Sequence, residues 1–203
     1  MSPAIDKEAS PELEKIERVE NLKMQMQSVI EQKEDPSDLI ANQREAGLNL
    51  ATLKKEDLTP DQIKEFTDLA ENFIEATKEK DPRLEEIAID CITRLNEEKN
   101  TSSVSPNEKE PPKPDKTELV NKVRKQIDTV LENWDNPSQK FDLVITELKD
   151  IGLSLATLKK EDFKADEEID KFADLVNEFR GVVDDEKLIK IANECQDRLK
   201  REN

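Results

Sequence analysis

Gly47-Leu-Asn-Leu-Ala-Thr-Leu-Lys-Lys-Glu-Asp57 returns 105 residues later as Gly152-Leu-Ser-Leu-Ala-Thr-Leu-Lys-Lys-Glu-Asp162, with Asn49 against Ser154 the sole difference. A second match carries the correspondence to the end of each half: Ile87-Ala88, Cys91 and Arg94-Leu95 against Ile191-Ala192, Cys195 and Arg198-Leu199. Self-similarity of this kind predicts a tandem duplication, and its long period fits none of the short solenoid signatures.

Around these strings the apolar residues recur at helical intervals. The first helix of each half is marked by Leu13, Ile16, Val19, Leu22, Met26 and Val29, and by Leu119, Val123, Ile127, Val130, Leu131 and Trp134. Breaks follow at Glu34-Asp35-Pro36-Ser37 and Asp135-Asn136-Pro137-Ser138, because proline disfavours helix at the residue before it. The second helix carries Leu39, Ile40 and Ala46 in one half, and Phe141, Val144, Ile145 and Leu148 in the other. Across this stretch the spacing of matched positions rises from 101 (Lys33 to Trp134) to 105 (Gly47 to Gly152), so four residues enter, about one helical turn. The expectation is a second helix one turn longer in the second half.

Gly47 and Gly152 are expected to end that helix in the left-handed conformation, with Gly181 a further terminator or local irregularity. Asn49 and Ser154 would then cap short helical turns over 50–56 and 155–161. A third helix starts at Thr59-Pro60 and is lined by Ile63, Phe66, Leu69, Ala70 and Phe73, matching Ile169, Phe172, Leu175, Val176 and Phe179. The fourth bears Leu84, Ile87, Ala88, Cys91 and Leu95, matching Leu188, Ile191, Ala192, Cys195 and Leu199. The predicted fold is all-α: a duplicated four-helix module of roughly 90 residues, with a short helical turn between its second and third helices. Module boundaries fall at 12–99 and 116–203, after a flexible tail at 1–11. The Pro/Ser/Lys/Glu-rich linker at 100–115 could span roughly 50 Å if extended, so contact between modules is permitted but not required.

Composition restricts function more than it specifies it. The chain has 203 residues, 49 acidic and 32 basic, a formal charge of −17 and neither histidine nor tyrosine. Lacking histidine, it has no Ser-His or Cys-His pairing and lacks the commonest general base and metal ligand, so no enzyme activity is expected. The three glycines are isolated and form no phosphate-cradling loop. The acidic runs Asp35–Asp38 and Asp184-Asp185-Glu186 lack the alternating ligands of a calcium loop. No metal or cofactor is expected. Net negative charge opposes direct binding to nucleic acid or anionic membranes. With no spanning segment, no signal-like start and only two cysteines, the expected location is cytoplasmic.

What remains is a protein-interaction or adaptor function exercised by two tethered acidic modules. The candidate partner-binding residues are the repeated charges Lys54, Lys55, Glu56, Lys159, Lys160 and Glu161, with Trp134, the only tryptophan. Local capping or shared ancestry is the simpler cause of the charged strings, and a packing plug the simpler role of Trp134. Two other functions are open. An acidic mimic of nucleic acid is suggested by the uneven charge, 25 acidic against 14 basic residues over 1–100 and 24 against 18 over 101–203. A carrier of an apolar ligand is suggested by the bundle architecture. Cys91 and Cys195, on the apolar stripe of the fourth helices, are expected to be buried packing groups.

Overall fold

The computed structural model describes residues 11–32, 36–97, 116–134 and 141–200, and all regular structure among them is helical. The helices are α1 (Pro11–Glu31), α2 (Pro36–Thr52), α3 (Pro60–Thr77), α4 (Pro82–Asn96), α5 (Thr117–Asn133), α6 (Phe141–Thr157), α7 (Asp166–Val182) and α8 (Glu186–Lys200). Single 3-10 turns at Lys55–Asp57 and Lys160–Asp162 precede α3 and α7. Residues 1–10, 33–35, 98–115, 135–140 and 201–203, which include most of the predicted tail, the linker, part of the first proline break and all of the second, lie outside the described residues.

In the first half α1 packs on α2 and α3, and α4 closes the ring by packing on the same two helices. Helices α5, α6, α7 and α8 repeat this order of contacts. The rings then join: α2 packs on α6, α4 also reaches α6, and α8 reaches α2. Contact between the halves, which the linker merely permits, is therefore extensive, and the buried side chains of both halves form one continuous apolar core. Having neighbours on several sides, the C-terminal parts of α2 and α6 bury more than a stripe. Leu48, Leu50 and Leu53, like Ile151, Leu153, Leu155 and Leu158, are almost wholly inaccessible.

Gly47 and Gly152 do not end these helices. Neither has positive φ, and both sit inside continuous helix. Their role is steric. A Cβ on Gly47 would stand 2.5 Å from Leu84 Cδ2 and 2.7 Å from Leu153 Cδ2. One on Gly152 would stand 2.5 Å from Leu188 Cδ2 and 2.8 Å from Leu48 Cδ2. Each glycine thus admits a leucine from its own half and one from the other, trading about 1 kcal/mol of helix propensity for close approach. Gly181 likewise lies within helix, in the last turn of α7, with nothing within 4 Å of a built Cβ.

Because the helices continue, Asn49 and Ser154 are not caps. Asn49 Nδ2 donates to Gln25 Oε1 at 2.9 Å, and Ser154 Oγ donates to the Asp150 carbonyl at 3.0 Å. The short turns begin later than expected, and their aspartates close them. Asp57 Oδ2 accepts from the Lys54 amide at 3.1 Å and Asp162 Oδ2 from the Lys159 amide at 2.8 Å. Helices α2 and α6 are both 17 residues long, so the expected extra turn does not appear in α6.

Elsewhere the apolar periods place the core well. Phe66, Phe73, Phe172 and Phe179 are fully buried, as are Cys91 and Cys195. Thr59 caps α3 through a box with Gln62, and Pro60 opens the helix. Ile16, Ile40 and Ile145 face solvent instead, because the buried face of α1 starts at Val19 among the described side chains and that of α2 and α6 lies toward their C-terminal ends.

The glycine crossings give a test of opposite signs. Gly47→Ala and Gly152→Ala are each expected to lower unfolding free energy by about 1–3 kcal/mol despite better helix propensity, because the added methyl overpacks the crossing. Gly181→Ala should instead stabilise by up to about 1 kcal/mol. Urea unfolding followed by circular dichroism checks all three.

Candidate partner-binding groove

Helices α2 and α6 end deep in the molecule, where their last carbonyls need donors. Arg94 on α4 supplies them to Leu50 and Leu53 at 2.9 and 3.0 Å. Arg198 on α8 does the same for Leu155 and Leu158, at 2.6 and 3.2 Å. The matched Arg-Leu pairs therefore serve two purposes: leucine enters the core while arginine caps a neighbouring helix.

Between α4 and α8, above those helix ends, lies a groove of about 590 Å³. Its lining comes in matched pairs from the two halves: Ala51 with Ala156, Lys54 with Lys159, Asp90 with Glu194, and Arg94 with Arg198. Thr93, Ile87, Ile89, Glu86 and Asp197 complete it, and Ile89 exposes 49% of its surface. Four cations balance four carboxylates, so the groove is formally neutral on a chain of charge −17.

Of the residues singled out from sequence, the structure brings together Lys54 and Lys159. Lys55 turns away, its Nζ donating to the Glu97 carbonyl at 2.7 Å, and Lys160 lies 3.8 Å from Asp166. Glu56 and Glu161 are exposed outside the groove, with Lys160 and Glu161 beside Phe163 in a shallower depression. Trp134, 37% exposed, stands at the C-terminal end of α5 and takes no part in the groove. Glu86, Asp90, Glu194 and Asp197 were not legible as site residues, since they reach one groove only through contact between the halves.

Two ion clusters outside the groove lining also join the halves. Asp150, 6% exposed, accepts from Arg83 Nη2 at 2.6 Å and Gln126 Nε2 at 2.9 Å, with Lys122 Nζ at 3.2 Å and Arg44 Nη2 at 3.8 Å. Arg83 also donates to Ser154 Oγ at 2.7 Å and is held by Asp81. Burial pushes the Asp150 carboxyl up, but the Arg83 and Gln126 hydrogen bonds and nearby cations override it, leaving it far below the usual carboxylate range. The corresponding cluster pairs Glu45 with Lys187 and with Lys149 at 2.7 Å; there too the cations outweigh burial and lower the carboxyl. In both, a cation near the start of α8 or α4 grips an acid on the central helix of the other half.

Neither thiol is set up for chemistry. Both cysteines are free and buried, and burial raises each pKa to about 11 from an ordinary 9.0. Among the described residues no three acidic or thiol groups converge as metal ligands would, and no helix is long and apolar enough to cross a membrane.

Asp150→Asn should cost on the order of 3 kcal/mol by leaving Arg83 without its cross-half charge. A depressed carboxyl stabilises above its unfolded value and loses that contribution as pH falls through it, so wild type should lose stability below about pH 4 and the variant less steeply. The thiols act in the opposite direction: their raised pKa values favour the fold up to about pH 9, and this contribution fades toward pH 11. Native protein at pH 8 should therefore label with Ellman's reagent at least ~100-fold more slowly than unfolded chain. No protein-family model, curated protein or solved structure matches the chain, and the groove's own side chains are what remains to indicate function.

Proposed function

We propose that the chain is a non-catalytic protein-interaction protein, a tandem duplication of one four-helix module, that takes a segment of a partner protein into the groove between α4 and α8. The observation that carries this is the paired lining: Lys54 with Lys159, Asp90 with Glu194 and Arg94 with Arg198 converge from both halves on one neutral cleft. The repeated string explains half of itself by packing, through its buried leucines and the aspartate that closes each turn. Lys54 and Lys159 are left over, exposed, and both at the groove.

A protein segment suits such a surface better than the other ligand classes. Exposed apolar area at Ile89 beside alternating charges is the mixture that protein contacts use. A nucleic-acid mimic needs an uninterrupted row of carboxylates, whereas here lysine and arginine alternate with them. A carrier of apolar ligands needs a dry enclosure, and eight charged groups line this one. Two free thiols accord with a reducing, cytoplasmic location. The site so proposed is one surface built jointly by both halves, so independently tethered binding sites are not needed.

A photo-reactive phenylalanine at Ile89 tests it, with the same probe at exposed Ile145, which does not line the groove, as the control. Irradiation in the native lysate should give a discrete cross-linked product from position 89 alone. Lys54→Glu combined with Lys159→Glu should reduce its yield at least tenfold. Equal products from both positions, or a yield unchanged by the double variant, would refute the proposal.

A further inference from the structure

Glu86 on α4 and Lys190 on α8 each stand immediately before the matched Ile-Ala pair, so they hold corresponding places with opposite charge. At one end of the groove Glu86 joins the halves. Both its carboxylate oxygens accept from Lys116 Nζ at 2.8 Å, and Lys159 Nζ lies 3.8 Å away. Lys116 also caps the Thr157 carbonyl at 3.0 Å and stands 3.8 Å from Asp162. Two cations there face two carboxylates.

The first half repeats the frame without the carboxylate, next to the groove-lining Lys54 and one turn of α8 from the groove-lining Glu194. Lys190 caps the Thr52 carbonyl, which also accepts from Arg18 Nη2 at 3.3 Å. Asp57, the counterpart of Asp162, lies 3.6 Å from Arg18 and 3.9 Å from Lys15. Lys54, the counterpart of Lys159, adds its charge. Lys15, Arg18, Lys54 and Lys190 thus gather about Asp57, with Glu194 near Lys190 and Glu17 beside Arg18 as the other carboxylates. Burial, together with the charges of Arg18 and Lys54, outweighs Glu194 and Asp57 and holds the Lys190 ammonium below its ordinary value. On a chain of charge −17 a crowded cationic corner is conspicuous.

We propose that this corner is a carboxylate-binding site, where an acidic side chain of the partner protein sits beside Lys54 and Lys190 as Glu86 sits beside Lys159 and Lys116. The Glu86 corner shows that the frame of lysine, threonine carbonyl and turn aspartate accepts a carboxylate between two ammonium groups. Charge-assisted hydrogen bonds would hold the incoming oxygens, and the added negative charge relieves repulsion already present among the cations. The negative field of the rest of the chain disfavours extended polyanions, so the expected ligand is a single acidic side chain within a peptide. The identity of the presenting molecule rests on the interaction reading; the cationic frame does not.

The test is a titration of the ¹⁵N-labelled full chain at low salt with a capped hexapeptide carrying one glutamate among glycine and serine residues, followed by amide shifts, with inorganic phosphate in a parallel series. The Thr52, Lys54 and Lys190 amides should move with a Kd on the order of 1 mM, as a few partly exposed ion pairs give, while Thr157 and Lys159 stay in place. Lys190→Glu supplies the missing carboxylate from within, and should weaken the peptide's effect at least tenfold while raising the thermal midpoint at low salt. Equal shifts at the two corners, no shift at Thr52, Lys54 and Lys190, or undiminished binding by Lys190→Glu would overturn the proposal. A response to phosphate without one to the peptide would also overturn it, by assigning the corner to phosphate. Failure here leaves cross-linking at Ile89 unaffected, so the two proposals are separately testable.

Discussion

The structure depends on how closely α2 and α6 cross. Gly47 admits Leu153 and Gly152 admits Leu48, and at separations of 2.7 and 2.8 Å from a built Cβ no larger residue fits without movement. This approach makes the two central helices neighbours of each other as well as of their own rings. Their C-terminal turns become inaccessible, so the carbonyls there need donors from within the protein, and Arg94 and Arg198 reach in from the flanking helices. The groove is the space those flanking helices leave as they lean over the crossing.

Electrostatics gives the crossing its register. Buried or half-buried ion pairs add little net stability over apolar contacts, but an unmatched one is costly, so they penalise alternative arrangements. Here Arg83 grips Asp150 and Lys187 grips Glu45, each spanning the two halves. Sliding α6 along α2 by one turn would separate both pairs at once. An acidic chain thus places scarce cations where its halves meet, and the self-repulsion expected of its net charge is offset locally.

The helical class, the four aromatic centres and the buried cysteines were legible because burial on one face imposes a 3.6-residue period that needs no knowledge of the partner. The glycines were not. A glycine after an apolar run suits equally a left-handed stop and a close crossing, and only the presence of Leu48 and Leu153 across the gap separates the two. Ile16 and Ile40 misled for a related reason: an apolar residue in phase is not buried unless a neighbour extends over it. Of the site, Lys54 and Lys159 are legible as repeated surface charges that packing does not explain. Glu86 and Lys190 give no signal in the sequence, because their opposite charges carry meaning only in the correspondence between the two halves.

The crossing also bears on the order in which the protein is completed. Leu48 and its neighbours on α2 are covered partly by residues whose own positions are some 105 farther along the chain. At ordinary ribosomal speeds of about 5–20 residues per second, that apolar surface awaits its cover for roughly 5–20 s after it is made. During this interval the N-terminal half resembles a subunit awaiting its mate. Its nascent surface would be the natural place for a chaperone to dwell.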